Sequence, residues 1–566
     1  MIAARSAVLH LHQPSKRYSS MAVSVAPTSN STQNLLELLL EEQGELSAVD
    51  RFSDWHGSHS IAAATYKALM PATALKSGQQ YAFEVDLDAC SGCKACVVAC
   101  HTLNGLEETE TWRKVGALSS HSVTSLPIVQ HVTTACHHCI DPGCLNGCPV
   151  KAYEKDPLTG IVRHLDDQCF GCKYCTMMCP YEVPQYSSTL GIVRKCDMCS
   201  QRLNVGEAPA CVQACPNQAI RISIVDVATV VRDATRTADR SSLVATAPLS
   251  QITIPTTRYL SKQPSETTAE LLSFESIADN AHEGHLPLVA MIVLTQTSVG
   301  MWLVLAIDCL IGDRGPHAFA AALATTIGVV GVHAALLHLG RPWLAYRAFL
   351  GWRTSWLSRE AIGFGLFMGA ATVCTIALFL LGDTKVSGNF GYALTGLVIL
   401  VAAIGLLSVM CTGMIYIATR RELWGHLRTG VDFGFSMIGL GLVGAFASLD
   451  SIPRPWLVIG VLCCIAATAA KGIDFRRAKV VRIRWDDFSA RSGRILRSEL
   501  ATPWAILWLF HSFAFALSVA LVATDLQGRI LNINFVILVV CLVGQALHRW
   551  IYFASVVYRR MPGAVS

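Results

Sequence analysis

Charge is what this chain of 566 residues has least of. Only 15% of it is Asp, Glu, Lys or Arg, against 52% hydrophobic residues and a mean hydropathy of +0.43. That balance excludes an ordinary soluble protein and calls for membrane spans. The N-terminal half lacks a phosphate loop, a nucleotide-binding fingerprint and a nucleophile with a base beside it, so no site for a terminal substrate is expected there. No nucleic-acid partner is expected either. The first twenty residues, MIAARSAVLHLHQPSKRYSS, have neither the long apolar core of a secretory signal nor a twin arginine.

Cysteine, in contrast, is abundant. Sixteen of the 22 cysteines lie between Cys90 and Cys215, in four groups of four. The groups are Cys90, Cys93, Cys96, Cys100; Cys136, Cys139, Cys144, Cys148; Cys169, Cys172, Cys175, Cys179; and Cys196, Cys199, Cys211, Cys215. The third has the C-x2-C-x2-C-x3-C-P spacing of bacterial ferredoxins, and the others are close variants. Tight C-x2-C spacing gathers thiolates around one centre, whereas disulfides link distant loops. A cubane cluster needs a thiolate on each of four irons. The first three cysteines of a run curl around one cluster, and the fourth turns away to another. Four groups therefore predict four [4Fe–4S] clusters. The fourth-ligand rule assigns Cys179 to Cys136, Cys139 and Cys144, and Cys148 to Cys169, Cys172 and Cys175. The alternative is a zinc-stabilised membrane scaffold built from C-x2-C pairs. Three lysines, Lys94, Lys173 and Lys195, fall inside or beside the runs. They are either solvated or placed to raise a cluster's reduction potential.

Composition divides the chain into an N-terminal extension (1–75), a cysteine-rich head (76–225), a linker (226–285) and a membrane region (286–566). In the extension, 34–42 (NLLELLLEE) reads as a short amphipathic helix with Asn34 as N-cap. In the head, YAFEVDLDAC and IVRHLDDQC each read as a strand leading into a cysteine run, so an internal repeat of two ferredoxin-like modules is expected. Residues 226–285 hold no cysteine and are rich in Ser, Thr, Ala and Pro, the composition of a linker. Beyond them lie eight apolar stretches, at 286–310, 317–339, 360–382, 391–418, 431–449, 455–473, 503–524 and 530–550. Each is about long enough to cross a bilayer core of roughly 30 Å, the fifth and sixth being the shortest. The predicted fold is an α+β ferredoxin-like double module carrying four clusters, followed by an all-α eight-helix transmembrane bundle.

Eight spans put the head, the even-numbered loops and the C-terminus on one side. That side carries nineteen Lys and Arg, against four (Arg314, Lys385, Arg454 and Arg529) on the other. Cytoplasmic loops carry the basic excess, which predicts a bacterial inner-membrane protein with its head and both termini in the cytoplasm.

Four cysteine runs followed by eight spans resemble a known pair, here fused: the four-cluster electron-transfer subunit and the membrane-anchor subunit of the dimethyl sulfoxide reductase family of molybdoenzymes. The head resemblance rests on all sixteen cysteines. It implies the remaining pairings, Cys90, Cys93 and Cys96 with Cys215, and Cys196, Cys199 and Cys211 with Cys100. In the related nitrate reductase subunit a tryptophan replaces the second cysteine of the third group; Cys172 stands there in this chain, which implies four cubanes. The tail resemblance rests on HEGHLPL (282–288), LHLGRP (337–342) and SWLSRE (355–360). It implies that His338 and Glu360 bind menaquinol or ubiquinol. The residues agree, because ionisable groups at the ends of adjacent spans are functional candidates, and a quinol must lose protons as it is oxidised. His333, His511 and His548 lie in or near spans, but the resembled anchor carries no haem and none is expected. The chain would then be a non-catalytic subunit serving anaerobic respiration from the quinone pool in the lipid. A separate molybdopterin-containing subunit would reduce the substrate. The same wire could run in reverse, from a dehydrogenase to quinone.

Overall fold

The computed structural model of the chain describes residues 69–71, 73–119, 128–236, 243–244, 246–262, 272–273, 280–282, 284–311, 317–381, 389–449, 453–478, 486–524 and 530–563. The helix expected over 34–42 lies outside the described residues.

The head closes on itself through one sheet. Strand β1 (Gln79–Asp86) pairs antiparallel with β8 (Ile220–Asp226), joining the two ends of the cysteine-rich stretch. Its QQYAFEVD sequence buries Gln80, Ala82, Phe83 and Val85, which places apolar side chains against the cysteine loops. A second sheet pairs β2 (Lys114–Ser119) with β3 (Val129–Thr134). Two short hairpins, β4–β5 (Tyr153–Lys155, Val162–His164) and β6–β7 (Gln185–Ser187, Ile192–Arg194), frame the third cysteine run. Short helices lie within the runs: α1 (Ala95–Leu103), α2 (Gly143–Gly147), α3 (Tyr174–Met178), α4 (Ser200–Asn204) and α5 (Ala210–Gln213). The residue before the second cysteine of every run has positive φ: Gly92, His138, Gly171 and Met198. This left-handed step curls each run back on itself so that its cysteines converge.

Within the stretch read as a linker, the described residues 226–236 and 246–262 pack on the head. Helix α6 (Val227–Arg236) continues from β8, and β9 (Arg258–Leu260) adds to β1 in parallel. Between them the amides of Ile140 and Asp141 bond to the carbonyls of Ile254 and Thr253, and the Thr256 hydroxyl donates to the His137 carbonyl. A segment rich in Ser, Thr, Ala and Pro with no cysteine reads as linker from composition alone. Here its hydroxyls and backbone satisfy polar groups of the second cysteine run, which the head leaves open.

Seven described helices are long and apolar enough to cross a membrane: α7 (Leu286–Ile311), α8 (Ala318–Ala334, extended by a 3-10 turn to His338), α9 (Trp356–Leu381), α10 (Asn389–Ile417), α11 (His426–Ser448), and, after the sixth stretch, α15 (Ala501–Ala523) and α16 (Ile530–Ala554). The sixth apolar stretch is not one straight helix. It is the bent pair α12 (Pro455–Ala467) and α13 (Ala469–Arg477), which makes eight spans only if the pair counts as one. The physical reason is polar: Lys471 and Asp474 enter the second half, are buried, and turn it toward α14 (Phe488–Arg497). Helix α7 is the most buried span and packs against α8, α10, α11 and α16. It crosses α11 at Gly300 and Gly441, where a Cβ on either residue would meet the other backbone. In lipid, close approach of small residues replaces the hydrophobic drive that water would supply.

Candidate metal centres and the joint to the membrane

The sixteen cysteines gather in four places. One cavity is lined by Cys90, Cys93, Cys96 and Cys215 (site I), another by Cys136, Cys139, Cys144 and Cys179 (site III), and a third by Cys148, Cys169, Cys172 and Cys175 (site IV). The other four, Cys100, Cys196, Cys199 and Cys211, lie within mutual electrostatic reach (site II). The sites form a row. Helix α1 carries Cys96 of site I and, one turn on, Cys100 of site II. Cys196 of site II lies near Cys136 of site III. Helix α2 carries Cys144 of site III and ends at Cys148 of site IV, while α3 returns from Cys175 to Cys179.

These donors fit iron–sulfur groups. All sixteen are free thiols rather than disulfides. Burial pushes the Cys148 and Cys179 thiols up to about 11, so a bound cation must draw off their protons at neutral pH. Backbone N–H groups of Ala152, Met198 and Ala219 point at Cys148, Cys196 and Cys215 Sγ, at 3.2 to 3.4 Å, as ligands carrying negative charge require. Among the described residues, no three His, Cys, Asp or Glu side chains are grouped tightly enough for a single metal ion.

Site IV meets the membrane region directly. The LHLGRP and SWLSRE segments that flank the second loop grip the head here. The Arg341 amide donates to the Phe170 carbonyl (3.0 Å) and the Gly351 amide to that of Pro149 (2.7 Å). The Ser355 and Ser358 hydroxyls donate to the Gly147 and Pro149 carbonyls, at 2.7 and 3.3 Å. Gly340 packs against the backbone of Gly191 and Gly171, leaving no room for a Cβ. Replacing Gly340 with Ala should push this loop off site IV, read as faster proteolysis of the loop than in the unaltered protein; an unchanged cleavage pattern would refute it.

His338 and Glu360 occupy different parts of this joint, and no hydrogen bond joins them. His338 Nε2 lies 3.2 Å from the carbonyl oxygen of Cys172, and its ring stacks edge-on against His285 at 5.1 Å. Glu360 is buried within the bundle, where the Thr412 hydroxyl donates to its Oε1 at 2.6 Å. Arg341 and Arg359 turn away from it, bonding to carbonyls of Asp166, Trp352 and Arg353. Tyr174 connects the two regions. It belongs to the cysteine run, yet it packs into the bundle core, donates to the Ile415 carbonyl at 3.2 Å and lies within electrostatic reach of both Cys172 and Glu360. Sequence reasoning missed Tyr174, His285 and Thr412. The HEGHLPL motif contains His285, but nothing in the sequence pairs it with His338. A cavity of about 740 Å³ opens between head and bundle, with His282, His285, Leu288, Tyr416 and Trp424 in its wall.

The C-terminal segment closes the joint from the other side. Tyr558 donates to Glu182, Arg560 lies 3.7 Å from the same carboxylate, and Arg560 also contacts His282. Burial would raise the Glu182 carboxyl, but Arg560, the Tyr558 hydroxyl and Lys114 outweigh it and hold it below the ordinary glutamate range. A depressed carboxyl stabilises the folded state above its unfolded value, about 4.3, and loses that contribution as pH falls through the folded value. The clamp should therefore hold unchanged down to about pH 4 and weaken below it. Arg560→Gln should abolish this step, read as protease sensitivity of the joint against pH.

Of the other membrane histidines, His548 bonds through Nε2 to Asp432 Oδ2 at 2.9 Å, and His333 through Nδ1 to the Val329 carbonyl.

Residues 128–224 match the 4Fe-4S dicluster domain family, and residues 280–555 match the DMSO reductase anchor subunit family (DmsC). The B subunit of anaerobic dimethyl sulfoxide reductase from Escherichia coli K12 is 36% identical over 154 residues, covering 26% of this polypeptide and 75% of that protein. This protein is a member of the dimethyl sulfoxide reductase family. It joins in one polypeptide an iron–sulfur region like that B subunit and a multi-pass region like the family's anchor subunit. Two relatives named for other complexes match this dimethyl sulfoxide reductase family member at the same level of identity. Hydrogenase-2 operon protein HybA of E. coli O157:H7 is 36% identical over 160 residues, 24% of this polypeptide and 49% of its own length. The formate dehydrogenase-O iron-sulfur subunit of E. coli K12 is 36% identical over 152 residues, 24% of this polypeptide and 50% of its own. The matched region thus spans about half the length of these two relatives.

Proposed function

We propose that this protein oxidises quinol at the joint between its head and its membrane bundle and passes the electrons outward, from site IV to site I, to a separate molybdopterin-containing subunit that reduces the terminal substrate. The observation that carries this reading is the contact of His338 with the Cys172 carbonyl. The residue that the family resemblance implicates in quinol binding lies against the backbone of a site IV ligand. When bound, four [4Fe–4S] clusters would supply one-electron transfer between this joint and the far end of the row, where Cys93 is exposed.

The protein's own residues handle the protons. His338 and Glu360 are the acceptors for the two quinol protons, with His285 orienting the imidazole and Thr412 the carboxylate. The cavity beside His285, between head and bundle, is the space proposed for the quinol head group. The basic excess in the even-numbered loops supports a cytoplasmic head, so protons would be released on the side where they are consumed and little proton-motive force would result. Four clusters are read from four quartets of thiols; iron and acid-labile sulfide near sixteen atoms each per polypeptide would support this, and a zinc-loaded, EPR-silent protein would overturn it.

The reverse reading, from a dehydrogenase to quinone, is favoured by the similarity to the formate dehydrogenase-O subunit and to the hydrogenase-2 operon protein. Steady-state assays of the complex with menaquinol and with menaquinone separate the two. Reduction of an oxyanion or sulfoxide acceptor by quinol supports the first reading. Reduction of quinone by a donor, with no quinol-driven activity, overturns it.

A further inference from the structure

Three cationic side chains are buried in the head among the described residues: Arg113, Lys195 and Arg202. Arg202 pairs with the Glu207 carboxylate at 2.7 Å. The other two have no carboxylate within ion-pair distance among the described residues. An unpaired cation in a protein interior costs several kcal/mol unless opposite charge lies close by. The main negative charge within reach of these two is that of the thiolate sites, with Asp197 a weaker influence on Lys195.

Lys195 sits between sites II and III. Its Nζ lies 3.6 Å from Cys136 Sγ of site III and donates to the carbonyl of Cys196 of site II at 2.8 Å, and to that of Val162. Cys144 is also within its electrostatic reach. Arg113 sits between sites I and II. Its guanidinium lies over the Phe83 ring and donates to the Thr133 hydroxyl at 3.2 Å, which in turn contacts Cys96 Sγ of site I at 3.5 Å. Its other near neighbours, Cys100, Cys196 and Cys211, are in site II. Its Nε and Nη2 have no hydrogen-bond partner among the described residues. The junction of sites III and IV is different. There the buried group between Cys144, Cys148 and Cys175 is the neutral phenol of Tyr153. The basic neighbour of site IV, His164, lies within electrostatic reach of Cys169, but unlike Arg113 and Lys195 it is bonded to a carboxylate, that of Asp166 at 2.7 Å, which offsets its charge. Lys94 is exposed, and the partly exposed Lys173 lies over the Tyr186 ring.

We infer that Arg113 and Lys195 are positioning charges for electron transfer, each a buried cation shared by two adjacent sites, which raise the reduction potentials of sites I, II and III relative to site IV. The inference rests on the four-site reading above and adds a direction to it. Fixed positive charge at short range in a low-dielectric interior stabilises the reduced, more negative state of whatever the thiolates hold. An electron delivered at the membrane end then finds more oxidising sites beyond it, which favours flow outward from quinol. Reverse flow would have to climb.

The test is an EPR-monitored redox titration of the assembled complex. Lys195→Met should lower the midpoint potentials of two of the four clusters and leave the other two in place. Arg113→Met should lower a different pair that shares one cluster with the first. Lys195→Arg, which keeps the charge, should restore the Lys195 pair. Unchanged potentials in Lys195→Met with all clusters present would overturn the inference, as would an equal fall in all four. If Lys195→Met loses a cluster, Arg113→Gln decides, and unmoved potentials there overturn it. Fewer than four reducible clusters in the unaltered protein would instead sink the four-site reading on which the inference stands.

Discussion

Replacing Glu360 with Gln will slow quinol-driven reduction of the head by about 10²- to 10⁴-fold, the usual worth of a general base, with iron content and dithionite-reduced EPR spectra unchanged. Glu360 lies one turn into α9, buried in the bundle, and its one hydrogen-bond partner among the described residues is the Thr412 hydroxyl. A carboxyl held in an apolar bundle without a cationic partner is an expensive arrangement, and such groups in membrane spans mark proton paths. Gln keeps the size and still bonds Thr412, but it cannot take a proton. Tyr174, reaching from site IV into the same core, keeps the carboxyl coupled to the head. Two companion variants refine the expectation. Thr412→Val should cost far less than Glu360→Gln, because it removes an orienting bond and not the acceptor. His338→Leu should slow the same step while also weakening quinol binding. Stopped-flow reduction by a menaquinol analogue measures all three. A Glu360→Gln protein that turns over at the unaltered rate would remove this residue from the reaction.

The largest loss of stability is expected at Asp432. This residue of α11 is buried, with Oδ1 paired to Arg549 Nη2 at 2.7 Å and Oδ2 bonded to His548 Nε2 at 2.9 Å, both from α16. Arg549 also lies over the Phe433 ring at 4.1 Å. Asp432→Ala strips the counter-charge from a fully buried guanidinium, and breaking such a pair from one side costs about 3–5 kcal/mol. The melting temperature of the detergent-solubilised protein should fall accordingly. The double replacement Asp432→Leu with Arg549→Met removes both charges, and its cost should be much smaller than that of Asp432→Ala. If the two variants lose equal stability, the pair is not what holds α11 to α16.

The legible part of this protein is the part written in short spacings. Cysteines three residues apart announce the head, because the turn that presents them to one centre is local. Apolar runs of twenty or more residues announce the spans, because a bilayer's thickness sets their length. The bent pair at 455–477 escaped that reading, since hydropathy averages over Lys471, whose charge meets Asp474 just beyond the apolar stretch, and Asp474 is in turn paired with Arg428 of another helix. The Ser/Thr-rich stretch after 226 escaped it for a similar reason. Its composition says linker, and only the open backbone groups of the second cysteine run give it a structured role.

What the sequence determined alone is thus the inventory: sixteen thiols in ferredoxin spacing, apolar spans, and an uneven distribution of basic loops. What the tertiary structure decided is which members of that inventory touch. Lys195 reaches Cys136 across 59 residues, His338 reaches Cys172 across 166, and Tyr174 reaches Ile415 across 241. No local spacing encodes such contacts. They exist because burying the curled cysteine runs and docking them on the second loop leaves each of these side chains one place to go.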